Sequence, residues 1–304
     1  MSLQSPAAAP PRRTLLAVGL MLFCGITWGS TYVFAKIATE GGTAPLGLAF
    51  WQGLGGALFL LPICLLRGKL PRLRLREGAF YLVTGALGTA LPSIVWFWSA
   101  PHLPAGIIAI VTAFVPLVTL ALTLGLRIER FAVKRLIGIL FGLAAILLVV
   151  LPDTSLPDHA MVGWVLFALL IPVCYATESV FINQRRPEGM DSLTLLCGML
   201  FGSTALLIVP TAVTGAWIAL PFPWGEVEWS IVALIGINIL SYALFIELIR
   251  IAGPVFAVQM GYVNTVAGVG WGWILLGERL SDWVWIALAV LFCGLALVRP
   301  GRAD

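Results

Sequence analysis

Apolar residues run through this chain in long stretches, and charged or turn-forming residues divide it into ten segments. These lie at 14–36, 45–66, 78–99, 103–126, 133–152, 160–183, 192–214, 229–250, 254–277 and 283–299. Most approach the roughly 20 residues a helix needs to cross a hydrocarbon core of about 30 Å. The third and fourth come from one uncharged run of 49 residues, Gly78 to Leu126. That run is too long for one crossing, and Ala100-Pro101-His102-Leu103-Pro104 supplies the turn. The pattern predicts an all-α membrane protein of ten transmembrane helices, with no soluble domain between them. Residues 1–13, with three prolines before Arg12-Arg13, are expected to form a disordered tail. The 22-residue run from Thr14 to Ala35 is longer than a signal-peptide core and has no small-x-small cleavage site before Lys36, so it is expected to be a retained first helix.

Charge orients these segments. With a cytoplasmic N-terminus, sixteen of the eighteen lysines and arginines fall on the cytoplasmic side, and only Lys36 and Arg279 fall outside. Both termini are then cytoplasmic. Composition agrees: 60% of the 304 residues are hydrophobic and 11% charged, with a mean hydropathy of +1.02. A net charge of +4 distributed in this way argues for membrane topology and against a nucleic-acid partner. The five cysteines stand singly inside apolar segments, and His102 and His159 lie in expected loops, so no metal or cofactor site is predicted.

The chain also repeats itself. Trp28, Tyr32 and Lys36 follow i, i+4, i+8 spacing, which puts them on one helix face. A weaker copy of this stretch, Tyr175 to Asn183, lies 147 residues on. Shifted by 149, Ala109 to Pro116 lies over Val258 to Thr265 and Glu129-Arg130-Phe131 over Glu278-Arg279-Leu280; Gly142-Leu143-Ala144 matches Gly294-Leu295-Ala296 at a shift of 152. Two halves of five crossings, 14–152 and 160–299, have opposite orientations because five is odd. The expectation is two inverted five-helix repeats with a site near the midplane between them.

The Trp28-Gly29-Ser30-Thr31 run, Pro116 midway along the fourth segment and Leu276-Gly277-Glu278-Arg279 closing the ninth resemble the drug/metabolite transporter superfamily, in particular its ten-helix EamA-type members. Within that family the likeness is greatest to YddG-type aromatic amino-acid exporters. The resemblance covers roughly residues 14 to 299. It implies a plasma (inner) membrane transporter with a cavity between helices 1, 3, 4, 6, 8 and 9. Asn264-Thr265 stands where the first half has Pro116, so the repeats depart from symmetry there.

Polar and helix-disrupting residues at membrane depth should face protein or a water-filled cavity. On that ground the candidate substrate-binding residues are Trp28, Tyr32, Pro116, Tyr175, Glu178, Asn238, Tyr242, Gln259, Tyr262, Asn264 and Trp271. Each has a plainer reading as a packing or interfacial residue. Glu178, seven residues before Arg185 and so roughly 10 Å deeper, is the best candidate for a carboxylate meeting a substrate amine or a proton. Glu247, three residues before Arg250, is explained by an ion pair, and Lys36 by snorkelling to water.

These residues predict a carrier, possible as a monomer, of small amphipathic metabolites, aromatic amino acids first, moving down their own gradient by alternating access. Cationic drugs or nucleotide sugars are the alternative cargo. An enzyme or channel is disfavoured: no aspartate lies within a span, His-Glu-x-x-His and Gly-x-Ser-x-Gly are absent, and no filter-like loop is visible.

Overall fold

The computed structural model describes residues 11–297 except 73, 129–132, 153–154, 159, 253 and 258, and every regular element among them is helical. The chain opens with α1 (Pro11–Gly29) and α2 (Thr31–Glu40), followed by α3 (Pro45–Leu66). Next come α4 (Leu75–Gly85) and α5 (Leu91–Ser99), joined by a π-helical turn over Ala86–Ala90. α6 (Ala105–Thr112), α7 (Val115–Gly125) and α8 (Val133–Val150) complete the first part. The second part holds α9 (Met161–Ala168), α10 (Leu170–Arg185), α11 (Ser192–Thr214) and α12 (Glu226–Ala252). It ends with α13 (Pro254–Ala257), α14 (Met260–Leu276) and α15 (Asp282–Leu297).

Among the described residues, seven continuous helical stretches are long and apolar enough to cross a membrane, and Leu136–Val150 and Asp282–Leu297 are shorter apolar helices. The chain is an all-helical membrane protein. α3 and α11 have the limits expected for them, 45–66 and 192–214. The tail expected over 1–13 falls outside the described residues up to 10, and Pro11 to Arg13 already belong to α1. Glu129-Arg130-Phe131, Val258 and residues 298–299, which carried parts of the expected repeats, also lie outside them.

Five expected rods are interrupted, one of them between α13 and α14, where Gln259 N–H turns to the Phe256 carbonyl at 3.1 Å. Ser30 N–H turns to the Thr27 carbonyl at 3.2 Å, one residue short of the helical partner, and separates α1 from α2. Pro92 brings no N–H to the Gly88 carbonyl four residues back, and the ladder widens into the π-turn just before it. Pro116 likewise has nothing to donate to the carbonyl of Thr112, where α6 ends. Pro172, in the first turn of α10, also has no N–H for the carbonyl of Ala168, where α9 ends.

Helix ends are closed in ordinary ways. Past α3, Gly68 takes a φ of +64°, which only glycine adopts without strain, and Lys69 N–H returns to the Cys64 carbonyl at 2.9 Å. Asp191 caps α11 by accepting from Thr194 N–H at 2.8 Å. Its other carboxylate oxygen lies 3.3 Å from Lys69 Nζ, which ties the two ends together.

The helices pack in definite pairs: α1 with α14 and α12, α10 with α7, α5 and the π-turn, α11 with α3 and α4, α12 with α2 and α3, and α8 with α15. Close approach depends on glycine. A Cβ on Gly29 would sit 2.7 Å from the Ala267 Cβ, and one on Gly294 would sit 2.9 Å from the Gly138 carbonyl oxygen. The outward faces carry exposed Leu140, Leu143, Val209, Val213, Ile274 and Trp285, as a surface solvated by lipid requires. On α14 the small residues Thr265, Gly268 and Gly272 form a packing face, and Ala257 is buried on α13, while Gly261 is exposed.

Candidate substrate cavity

A cavity of about 370 Å³ lies among α1, α2, α3, the π-turn, α5, α6, α10, α11, α12 and α14. Seven of the expected residues line it: Trp28, Tyr32, Tyr175, Glu178, Asn238, Tyr242 and Asn264. Among the described residues, α8 and α15 contribute none of its lining.

One wall joins α1 to α12. Trp28 Nε1 donates to Asn238 Oδ1 at 3.0 Å, and Asn238 Nδ2 donates to the Leu234 carbonyl at 2.8 Å. Asn238 is buried, and its amide is committed to holding the indole. Tyr242, one turn along α12, meets the Trp28 ring edge-on with centroids 5.0 Å apart.

A second group closes the end nearer Lys36. The Tyr32 ring meets Trp96 edge-on at 5.4 Å, and its hydroxyl accepts from Asn264 Nδ2 at 3.3 Å. Gly268 makes room for this ring, since a Cβ there would lie 2.7 Å from Tyr32 Cδ2. Three polar atoms on lining residues are buried without a hydrogen-bond partner among the described residues: Trp96 Nε1, Thr89 Oγ1 and Asn264 Oδ1. Buried polar groups are rarely left so in a structure, and here all three lie on residues that border open space.

Among the described residues, Glu178 is the one charged side chain in the lining. Its carboxyl rests against Gly88 in the π-turn, where any Cβ would collide with it. Among the described residues it has no hydrogen-bond or ion-pair partner, and Arg185 is exposed at the end of α10. Tyr175, three residues earlier on α10, shares its face.

Four expected residues do not line the cavity. Pro116 stands in the first turn of α7 and acts on the backbone, ending α6. Gln259, expected at membrane depth, is instead exposed in the turn before α14, where the chain has left the helical ladder. Tyr262 lies two residues from Asn264, about 200° around the helix, and turns outward to pack edge-on against Phe292 at 5.9 Å. Trp271 is two turns past Asn264, and its Nε1 donates at 2.9 Å to the Ile26 carbonyl, which the α1–α2 break releases from its helical partner. Sequence reasoning did not single out Thr89 and Ser93, which line the cavity. Their spacing with Trp96, i, i+4, i+7, marks one face and was the available signal. Ser93 donates to Gln52 Oε1 at 3.3 Å across that wall.

Lys36 also differs from expectation. It does not reach for water: its side chain is 16% exposed and its Nζ donates to the Leu103 carbonyl at 2.8 Å. The same ammonium lies 3.5 Å from Glu40 and 3.8 Å from Glu278. Glu278 in turn accepts from Ala105 N–H at 2.7 Å and Gly106 N–H at 3.3 Å, capping α6 with a charge that suits a helix N-terminus. A polar network joining α2, the start of α6 and the segment just past α14 thus sits one turn beyond Tyr32. The Glu247–Arg250 pair, by contrast, forms as expected, with Arg250 Nε donating at 2.7 Å.

Known proteins resemble this chain along nearly its whole length. It is 32% identical over 298 residues to the uncharacterized inner membrane transporter YedA of Escherichia coli (strain K12), covering 96% of this chain and 93% of that protein. It is 24% identical to the S-adenosylmethionine/S-adenosylhomocysteine transporter of Chlamydia trachomatis serovar L2, covering 93% and 89%. Protein PecM of Dickeya dadantii is 23% identical over 274 residues, covering 90% of this chain and 88% of that protein. A solved crystal structure superposes with a TM-score of 0.59 at 18% identity, covering 94% of this chain and 97% of that one, so the fold is shared. The EamA-like transporter family matches twice, over residues 15–151 and 162–299. With both halves matched and the apolar helices in place, the chain belongs to the EamA-like transporter family.

Proposed function

We propose that this chain carries small, ring-bearing amphipathic metabolites across the plasma (inner) membrane by alternating access through the cavity, most simply as an exporter. The observation that carries this reading is the aromatic lining: Trp28, Tyr32 and Trp96 from the first half and Tyr175 and Tyr242 from the second surround one void. Rings stack on rings in such a space, and polar atoms at its edges orient the ligand. Aromatic amino acids, the cargo suggested by the sequence, have the size and ring for it. That a relative is named for S-adenosylmethionine is in keeping with a small-molecule cargo.

Two inverted five-helix halves are the architecture behind this proposal. Support comes from the double family match and from the packing. If helices of the two halves are exchanged, α1 on α14 becomes α10 on α7, and α12 on α3 becomes α4 on α11. Halves of five crossings each would face opposite ways, with both termini cytoplasmic, and rocking of one against the other would expose the cavity to each side in turn. Proteoliposomes test the carrier directly. Saturable counterflow of labelled tryptophan or tyramine is expected, lowered about tenfold or more by Trp28→Ala; flux of both that never saturates would defeat the carrier reading.

A further inference from the structure

We propose that the substrate is a ring-bearing organic monocation without a free carboxylate, and that Glu178 is the residue that selects it. This rests on the carrier reading and concerns the same cavity. Glu178 is the sole charge in the lining and has no partner among the described residues. The cations that form ion pairs among those residues are committed elsewhere: Lys36 to Glu40 and Glu278, Lys69 to Asp191, and Arg250 to Glu247. A carboxylate removed from water without a partner is costly, and an ammonium or other cation neutralises it. The neighbouring rings of Tyr175 and Tyr242 attract the same charge through their faces. A zwitterion fits less well, because it would add a second carboxylate to a cavity with no basic side chain among its described lining residues to receive it.

The other end of the cavity reads the other end of the ligand. Trp96 Nε1 is a buried donor without an acceptor, and Asn264 Oδ1 is a buried acceptor without a donor. Gly88, which Glu178 touches, and Trp96 are eight residues apart, roughly 12 Å along the helix. With a hydrogen bond of about 3 Å at each end, a phenol carried on a two-carbon amine arm spans a gap of that order, and its hydroxyl can accept from the indole and donate to the amide. Tyramine has this form; tyrosine adds a carboxylate, and tyrosol lacks the amine.

The test is binding of tritiated tyramine to the purified full chain, with unlabelled tyramine, tyrosine and tyrosol as competitors. Tyramine is expected to compete at least about tenfold better than either analogue. Glu178→Gln is expected to remove that preference and Glu178→Asp to keep it, which separates loss of charge from loss of fold. Tyrosine competing as well as tyramine, or a Glu178→Gln variant that retains the preference, overturns the monocation while leaving the carrier standing. Absence of saturable tyramine binding also overturns it, and counterflow of tryptophan then decides the carrier reading separately.

Discussion

A hydrogen bond inside a membrane protein is worth most where its loss strands a partner. Asn238 both accepts from the Trp28 indole and donates to its own helix, so Asn238→Ala leaves a half-buried N–H unmet. The expected cost is about 1–3 kcal/mol. Trp28→Phe removes the donor as well, so the double variant should be less destabilised than the sum of the single ones. Thermal unfolding in detergent, arranged as a double-mutant cycle, measures this; strict additivity would mean that the bond contributes nothing. Gly88 works in the opposite sense, since its value is the side chain it lacks: Glu178 occupies the place of its Cβ.

Helix ends carry the next level of organisation. Glu278 caps α6 and faces Lys36, so Glu278→Ala leaves two backbone N–H groups and an ammonium short of a partner. A loss of about 1.5–3 kcal/mol is expected, read as a lowered unfolding midpoint, with Glu278→Gln milder because its amide oxygen still accepts. Asp191 has a pH signature. Burial pushes its carboxyl up, but the Thr194 hydrogen bonds and the Lys69 ammonium outweigh burial and hold it below its ordinary value. A group with a depressed folded pKa stabilises fully above its unfolded value, about 3.9, and that contribution is lost as pH falls through the lower folded value. The stability gap between the native chain and Asp191→Asn should therefore be present at pH 7 and shrink on acidification below about pH 4. A gap unchanged by pH would show that charge has no part in the cap.

For the whole molecule the test is topology. In a chain freed of its five cysteines, single cysteines at Glu40 and at Glu188 should be labelled by a membrane-impermeant maleimide from opposite faces. Glu40 should react from outside intact cells and Glu188 only after permeabilisation. Labelling of both from one face would remove the inverted arrangement.

What the sequence determined by itself was class, family and the limits of some helices. Lipid offers the backbone no hydrogen bonds, so runs of apolar residues are obliged to become helices, and their limits at 45–66 and 192–214 could be read directly. Helical spacing also tied Trp28 to Tyr32 and Asn238 to Tyr242 on shared faces. Only the tertiary structure decided which of those faces meet. Spacing gives a residue's angle on its own helix and says nothing of the neighbour opposite, so Tyr262 and Trp271 looked as eligible as Asn264, and Lys36 looked free for water. The same limit hid Thr89 and Ser93, whose short side chains matter only because other helices leave a void in front of them.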